Sequence, residues 1–169
     1  MADINVEYIN VFLKAAAQVM KDVCQMNLSI GRPYVKQTEF ENETVVVNIG
    51  ITGQLRGLVL LAMPKEVACD IASRMCFMTI EKLDEISLSA LSELGNMIFG
   101  NAATVLSTKG IIVDITPPSI IQGSFKLSSA HAKNICVPLS YDSDKTIELD
   151  ISCLLYKSPS PRDGATSRM

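Results

Sequence analysis

The stretch ETVVVNIGITGQLRGLVLLAM, residues 43–63, decides the architecture. Its two halves are rich in β-branched and aliphatic residues, and TGQ between them supplies a turn, so the pattern predicts a β-hairpin. The second half, LVLLAM at 58–63, is apolar at consecutive positions, which predicts a strand covered on both faces. The glycines of GITGQLRG fit neither a dinucleotide fingerprint nor a P-loop, so Gly50, Gly53 and Gly57 read as turn or close-packing residues.

Outward from this hairpin, helices and strands alternate. Upstream, residues 4–27 carry Ile9, Phe12, Leu13, Ala16, Val19 and Met20 at helical spacing, and GRP at 31–33 is expected to stop that helix. Downstream, Pro64 opens a second helix, KEVACDIASRMCF, that ends near Met78, as suits proline in a first helical turn. A third helix is expected from Leu83 to Lys109, closed by Gly110. IIVDI then reads as a strand, Pro117 and Pro118 as a break, and SIIQG as a continuation. NICVPLSY and KTIELDISCLLY, joined by DSD, read as a second hairpin. Hairpins pair antiparallel, so the fold class is α+β: an antiparallel sheet built from hairpins, with long helices packed on it.

Composition excludes several function classes. The chain has 169 residues, is 48% hydrophobic and has a net charge of −3, with its 15 basic residues scattered. It therefore reads as one domain with a sizeable core and no electrostatic footprint for nucleic acid. The longest apolar run falls far below the roughly 18 residues that a membrane span needs. MADINVEY at the start has neither a basic nor an apolar signal region, which predicts a cytoplasmic protein. The five cysteines contain no C-x-x-C pair and read as buried thiols. His131 sits alone in the polar stretch SSAHAKN, where it reads as a loop residue, and no metal site is expected.

The third helix holds the candidate chemistry in SELGNMIFGNAATVLS, residues 92–107. At 100° per residue, Glu93, Asn96, Gly100, Ala103 and Ser107 share a face with Ser89 and Ser92 beside them, while Leu91, Leu94, Ile98, Ala102 and Val105 lie opposite. One face is core; the other carries a carboxylate and an amide on a surface stripped of bulk. Asn has poor helix propensity, and a mid-helix Gly costs about 1 kcal/mol relative to Ala. Two unfavourable choices on one stripe point to a role, either in catalysis and docking or in packing against another helix.

There is also an internal echo. EYINVFLKAAAQVM at 7–20 and ELGNMIFGNAATVL at 93–106 share Glu, Asn, paired alanines and Val at identical offsets, which is either a chance similarity of two amphipathic helices or, as the sharper reading, the trace of a pseudo-symmetric, duplicated domain.

The run LDEISLSALSELGNMIFGNA followed by KGIIVDITPPSIIQG resembles the CheX branch of the bacterial CheC/CheX/FliY chemotaxis phosphatases, and the GITGQLRG turn and PKEVACDIASRM helix fit in the same order. The resemblance covers about residues 4–152. It implies a phosphatase of the phosphorylated response regulator CheY, with Glu93 and Asn96 as the catalytic pair and a homodimer joined through β-structure. No cofactor of its own is implied, since the receiver domain supplies Mg2+ and a lysine.

The residues suit that assignment. An aspartyl phosphate is already activated, and an amide can both donate to and accept from a water and so hold it for in-line attack. Asn96 is the water-holding candidate, and Glu93 is available to pair with a cation on the receiver. Ser89, Gly100 and Ala103 are the docking candidates that let the helix lie close. The alternative is a non-catalytic adaptor that uses the same face to bind a receiver or a flagellar-switch partner.

Glu7 and Asn10 are candidates for a second site, as in the two-site CheC branch. Lys14 stands at the position matching Gly100 and would obstruct close approach, so this site is not expected to work. The tail KSPSPRDGATSRM, residues 157–169, shifts abruptly to Ser, Pro and Arg and reads as a disordered, non-native terminus after a domain spanning 1–156. The sequence from Cys153 onward has the look of adapter read-through.

Overall fold

A computed structural model describes residues 2–3, 6–35, 38–40, 43–127 and 134–155. In chain order the elements are β1 (Ala2–Asp3), α1 (Val6–Cys24), β2 (Ser29–Ile30), β3 (Tyr34–Val35), β4 (Thr38–Phe40), β5 (Thr44–Gly53), β6 (Leu55–Pro64), α2 (Lys65–Cys76), α3 (Glu85–Thr108), β7 (Val113–Ile115), β8 (Ser119–Gln122), β9 (Phe125–Leu127), β10 (Ile135–Tyr141) and β11 (Lys145–Leu155).

The two expected hairpins form the middle of one antiparallel sheet. Its order is β2-β10-β11-β6-β5-β7, with β1 on β11, β3 on β10 and β8 on β5, while β4 and β9 pair separately. β6 is covered on both faces, as its unbroken apolar run predicts: Val59, Leu60, Leu61, Ala62 and Met63 are all at most 3% exposed. On the inner face, Val45, Val47, Ile49 and Ile51 of β5 join the three helices in the main core. On the outer face, Phe40, Val46, Leu60 and Ala62 form a smaller cluster with Ile121. This alternation follows from side chains projecting to opposite faces along a strand.

α1 and α3 pack together over the sheet, with Phe12 and Phe99 meeting edge to face at 6.3 Å between ring centroids. α3 begins with a reciprocal cap. The Asp84 side chain accepts from the Ser87 N–H at 2.9 Å, and the Ser87 hydroxyl accepts from the Asp84 N–H at 2.7 Å. α2 is tied to the β10–β11 turn by Arg74, whose guanidinium lies 2.8 Å from Asp142, and by Asp70, which accepts from the Tyr141 hydroxyl at 2.7 Å. Burial first, and then the Asp70 hydrogen bond, push the Tyr141 hydroxyl pKa up.

Several sequence expectations shift. α1 ends at Cys24, where Gln25 turns left-handed at φ 51, not at GRP; Gly31 instead lies against β10, its N–H donating to the Pro138 carbonyl at 2.8 Å. Pro64 closes β6 and caps α2 rather than occupying its first turn. Val105, assigned to the core by its angle, is 37% exposed, because it lines an open groove toward α1; Gly95 and Phe99 are buried in the core face instead. Cys24, Cys69 and Cys136 are buried as expected, but Cys76 is only half-buried. Burial pushes the Cys24 thiol up to about 11. β11 carries Cys153 to Leu155 in register with β6. His131 and the tail from 157 lie outside the described residues.

Candidate functional site

β5 sets the ground plan of the site. Along one of its edges, β7 pairs with Ile51–Gly53 and β8 with Val45–Asn48, leaving a gap at Ile49 and Gly50. Pro117 and Pro118 occupy that gap and have no N–H to offer. Thr116 closes it with two bonds. Its N–H donates to the Gly50 carbonyl at 2.9 Å, and its hydroxyl accepts from the Gly50 N–H at 2.9 Å. Gly50 is glycine for close approach, since an added Cβ would lie 3.2 Å from the Thr116 side chain. Pro118 is thereby fixed beside α3.

Between α3 and this diproline break lies an open depression of about 390 Å³, lined by Glu85, Leu88, Ser89, Ser92, Glu93, Asn96, Pro118 and Ile120. The sequence-predicted pair Glu93 and Asn96 therefore comes together with Ser89. Both members of the pair are exposed, and among the described residues neither side chain makes a hydrogen bond or ion pair. Below them Leu91, Leu94, Gly95 and Ile98 are buried, so the pair stands on a helix whose other face is locked into the core. The lining holds two carboxylates and no cation, which suits a partner that presents a positive side chain.

Gly100 and Ala103 lie further along α3, half-buried and outside the depression. A Cβ at Gly100 would meet nothing within 4 Å, so internal packing gives no reason for that glycine. Ser107 is turned inward on its own helix, donating to the Thr104 carbonyl at 2.7 Å. The wall residues Pro118 and Ile120 escaped the reading of α3 alone. The signal for them was the diproline break, and only the pairing of β8 with β5 brings it against the helix.

Glu7 and Asn10 of α1 come together elsewhere, in a groove of about 450 Å³ with Lys14, Asn101, Val105 and Lys109 among its lining. The Glu7 carboxylate is held by the Lys109 ammonium at 3.0 Å. The echo of the motif is present in place but differs in chemistry, because its carboxylate is engaged where that of Glu93 is not.

One cluster of metal-ligand types occurs among the described residues: Cys136, Glu148 and Asp150, whose ligand atoms lie within 4.8 Å of one another. These residues alternate with the core residues Val137, Leu149 and Ile151, so they occupy the sheet face turned away from α3. Burial, and then the neighbouring Glu148 carboxylate, push the Cys136 thiol up. No helix among the described residues is long and apolar enough to cross a membrane.

Comparison with known proteins gives concordant matches. The model of the family described as chemotaxis phosphatase CheX matches residues 45–140. The CheY-P phosphatase CheX of Thermotoga maritima is 32% identical over 146 residues, covering 85% of this chain and 94% of that protein. Among solved structures, the CheX of the Borrelia burgdorferi CheX–CheY–BeF3–Mg2+ complex superposes with a TM-score of 0.77 at 33% identity, covering 88% of this chain and 99% of the other. A CheC-like superfamily protein from Shewanella sp. PV-4 gives a TM-score of 0.80 at 27% identity, covering 89% of this chain and 99% of the other.

Proposed function

The chain belongs to the CheX family of chemotaxis phosphatases, and from that premise we propose that Glu93 and Asn96 are the pair with which it dephosphorylates phosphorylated CheY. The observation that carries the assignment is the pairing itself: an unengaged carboxylate and an unengaged amide, one helical turn apart, at the mouth of one depression on a rigid helix.

The chemistry asks little of the enzyme beyond position. A water oxygen attacks phosphorus as the bond to the aspartyl oxygen breaks, giving inorganic phosphate and the free carboxylate. The Asn96 amide accepts a hydrogen bond from that water and donates one to it, fixing its approach in line with the leaving oxygen. Glu93 pairs with a cation of the receiver and sets the register of docking. Ser89, Gly100 and Ala103 keep the face low, so that the helix can enter the receiver's site. The Mg2+ of the reaction belongs to the receiver, and the chain acts in the cytoplasm with its substrate.

α1 serves as scaffold rather than as a second site, a reading supported by the Glu7–Lys109 ion pair and by Lys14 in the same groove. The chain works as a homodimer joined through its sheet. In support, the short strands β2 and β3 leave Ile30, Tyr34 and Val35 at 49%, 46% and 63% exposure along one edge. The test of activity is phosphate release from phosphorylated CheY with and without this protein. Release should rise in proportion to its concentration; release unchanged at stoichiometric amounts of folded protein would contradict the proposal.

A further inference from the structure

Gly95, inside the Glu93–Asn96 motif, faces the opposite way from its neighbours. It is buried, and a Cβ built on it would lie 2.7 Å from Val47 Cγ1 and 3.5 Å from Ile49 Cδ1. Carbon atoms in contact sit about 3.5–4.0 Å apart, so the shortfall at Val47 is about 1 Å. Val47 cannot yield that space by itself. It is fully buried, its β-branched side chain is stiff, and its strand is clamped between Leu61 of β6 and Ile120 of β8. The helix would have to move instead. Gly100 supplies the contrast within the same helix, because there an added Cβ meets open space.

Val47 is also the reference point for the opposite wall of the site. Ile120, which lines the depression, is the ladder partner of Val47, and Pro118 precedes it by two residues. The height of α3 above Val47 therefore fixes the distance between the pair Glu93 and Asn96 and the wall Pro118 and Ile120. We propose that Gly95 is a positioning residue for the dephosphorylation: its missing side chain seats α3 on Val47 and so sets the catalytic pair at its working depth. This rests on the assignment of Glu93 and Asn96 as the catalytic pair. A glycine buried in a helix is otherwise unfavourable, since it gives up helix propensity without gaining packing volume.

The test compares turnover of phosphorylated CheY by wild type, Gly95→Ala, Gly95→Ala with Val47→Ala, and Asn96→Ala, with melting temperatures measured alongside. A misplacement of about 1 Å in a reacting group costs up to ~100-fold. Gly95→Ala should lower kcat by ~10-fold or more and leave KM within ~2-fold. Adding Val47→Ala removes the opposing methyls and should restore kcat to within ~3-fold of wild type, while the shortened core side chain keeps the melting temperature of the double variant below that of wild type. Near-wild-type kcat in a double variant that is still less stable than wild type is a result that a purely structural glycine does not give, because activity would then track the melting temperature. Full kcat in Gly95→Ala, beside a loss in Asn96→Ala, would overturn the positioning role alone. Full kcat in Asn96→Ala would overturn the catalytic assignment beneath it. If Gly95→Ala does not fold, the double variant decides: folded and active supports the inference, folded and inactive overturns it.

Discussion

Asn96 and Asn10 stand at matching offsets in two helices, and what separates them is the state of the carboxylate one turn before each. Glu93 projects without a partner among the described residues, whereas Glu7 is bound to Lys109 at 3.0 Å. Motif spacing shows that both pairs share a helix face but not which carboxylate is engaged, because Lys109 is 102 residues from Glu7 in sequence. Lys14 was readable as an obstruction; the ion pair was not. Replacing Glu7 and Asn10 together by alanine should leave phosphate release near the wild-type rate. Loss of half or more of the release, in a variant shown to be folded, would mean that α1 carries a site after all.

Among the elements, α3 was the most legible and also shows where periodicity stops. The stripe of Leu91, Leu94, Ile98 and Ala102 is buried as its spacing predicts, but Val105 shares their angle and is exposed because the core beneath it gives way to the α1 groove. The Asp84–Ser87 cap lacks the usual sequence signature, because Ser rather than Glu or Gln fills the third helical position. The Ser87 backbone N–H, and then its side chain, hold the Asp84 carboxyl below its usual range. A lowered folded-state pKa means that the unfolded chain binds the proton more readily, so the cap stabilises above the unfolded pKa and its contribution is lost as pH falls through the folded value. Asp84→Ala should therefore lower the melting temperature at neutral pH, and the gap from wild type should close below about pH 4. A gap that persists undiminished at pH 2 to 3 would contradict a cap that acts through the ionised carboxylate.

For the whole molecule, the sheet was legible where hairpins close locally and illegible where pairing spans the chain. β5–β6 and β10–β11 followed from composition and turn residues, but β11 lying against β6, and β8 returning to β5, join segments far apart in sequence. The short edge strands β2 and β3 carry too few residues to show a period. Their exposed side chains underlie the expectation of a dimer. Light scattering at micromolar concentration should give twice the 18.4 kDa chain mass, and a strictly monomeric mass would count against the homodimer.

In the proposed mechanism the Asn96 amide places the attacking water while other groups hold the receiver. The direct measurement is turnover of phosphorylated CheY at saturating substrate by wild type and by Asn96→Ala, with affinity for the receiver measured on the same preparations. A group that acts chiefly in the transition state lowers kcat and kcat/KM together. In Asn96→Ala, kcat should fall by about 100-fold, on the scale of a lost transition-state hydrogen bond, while receiver affinity stays within ~3-fold. Full turnover by Asn96→Ala would rule out that role for the amide.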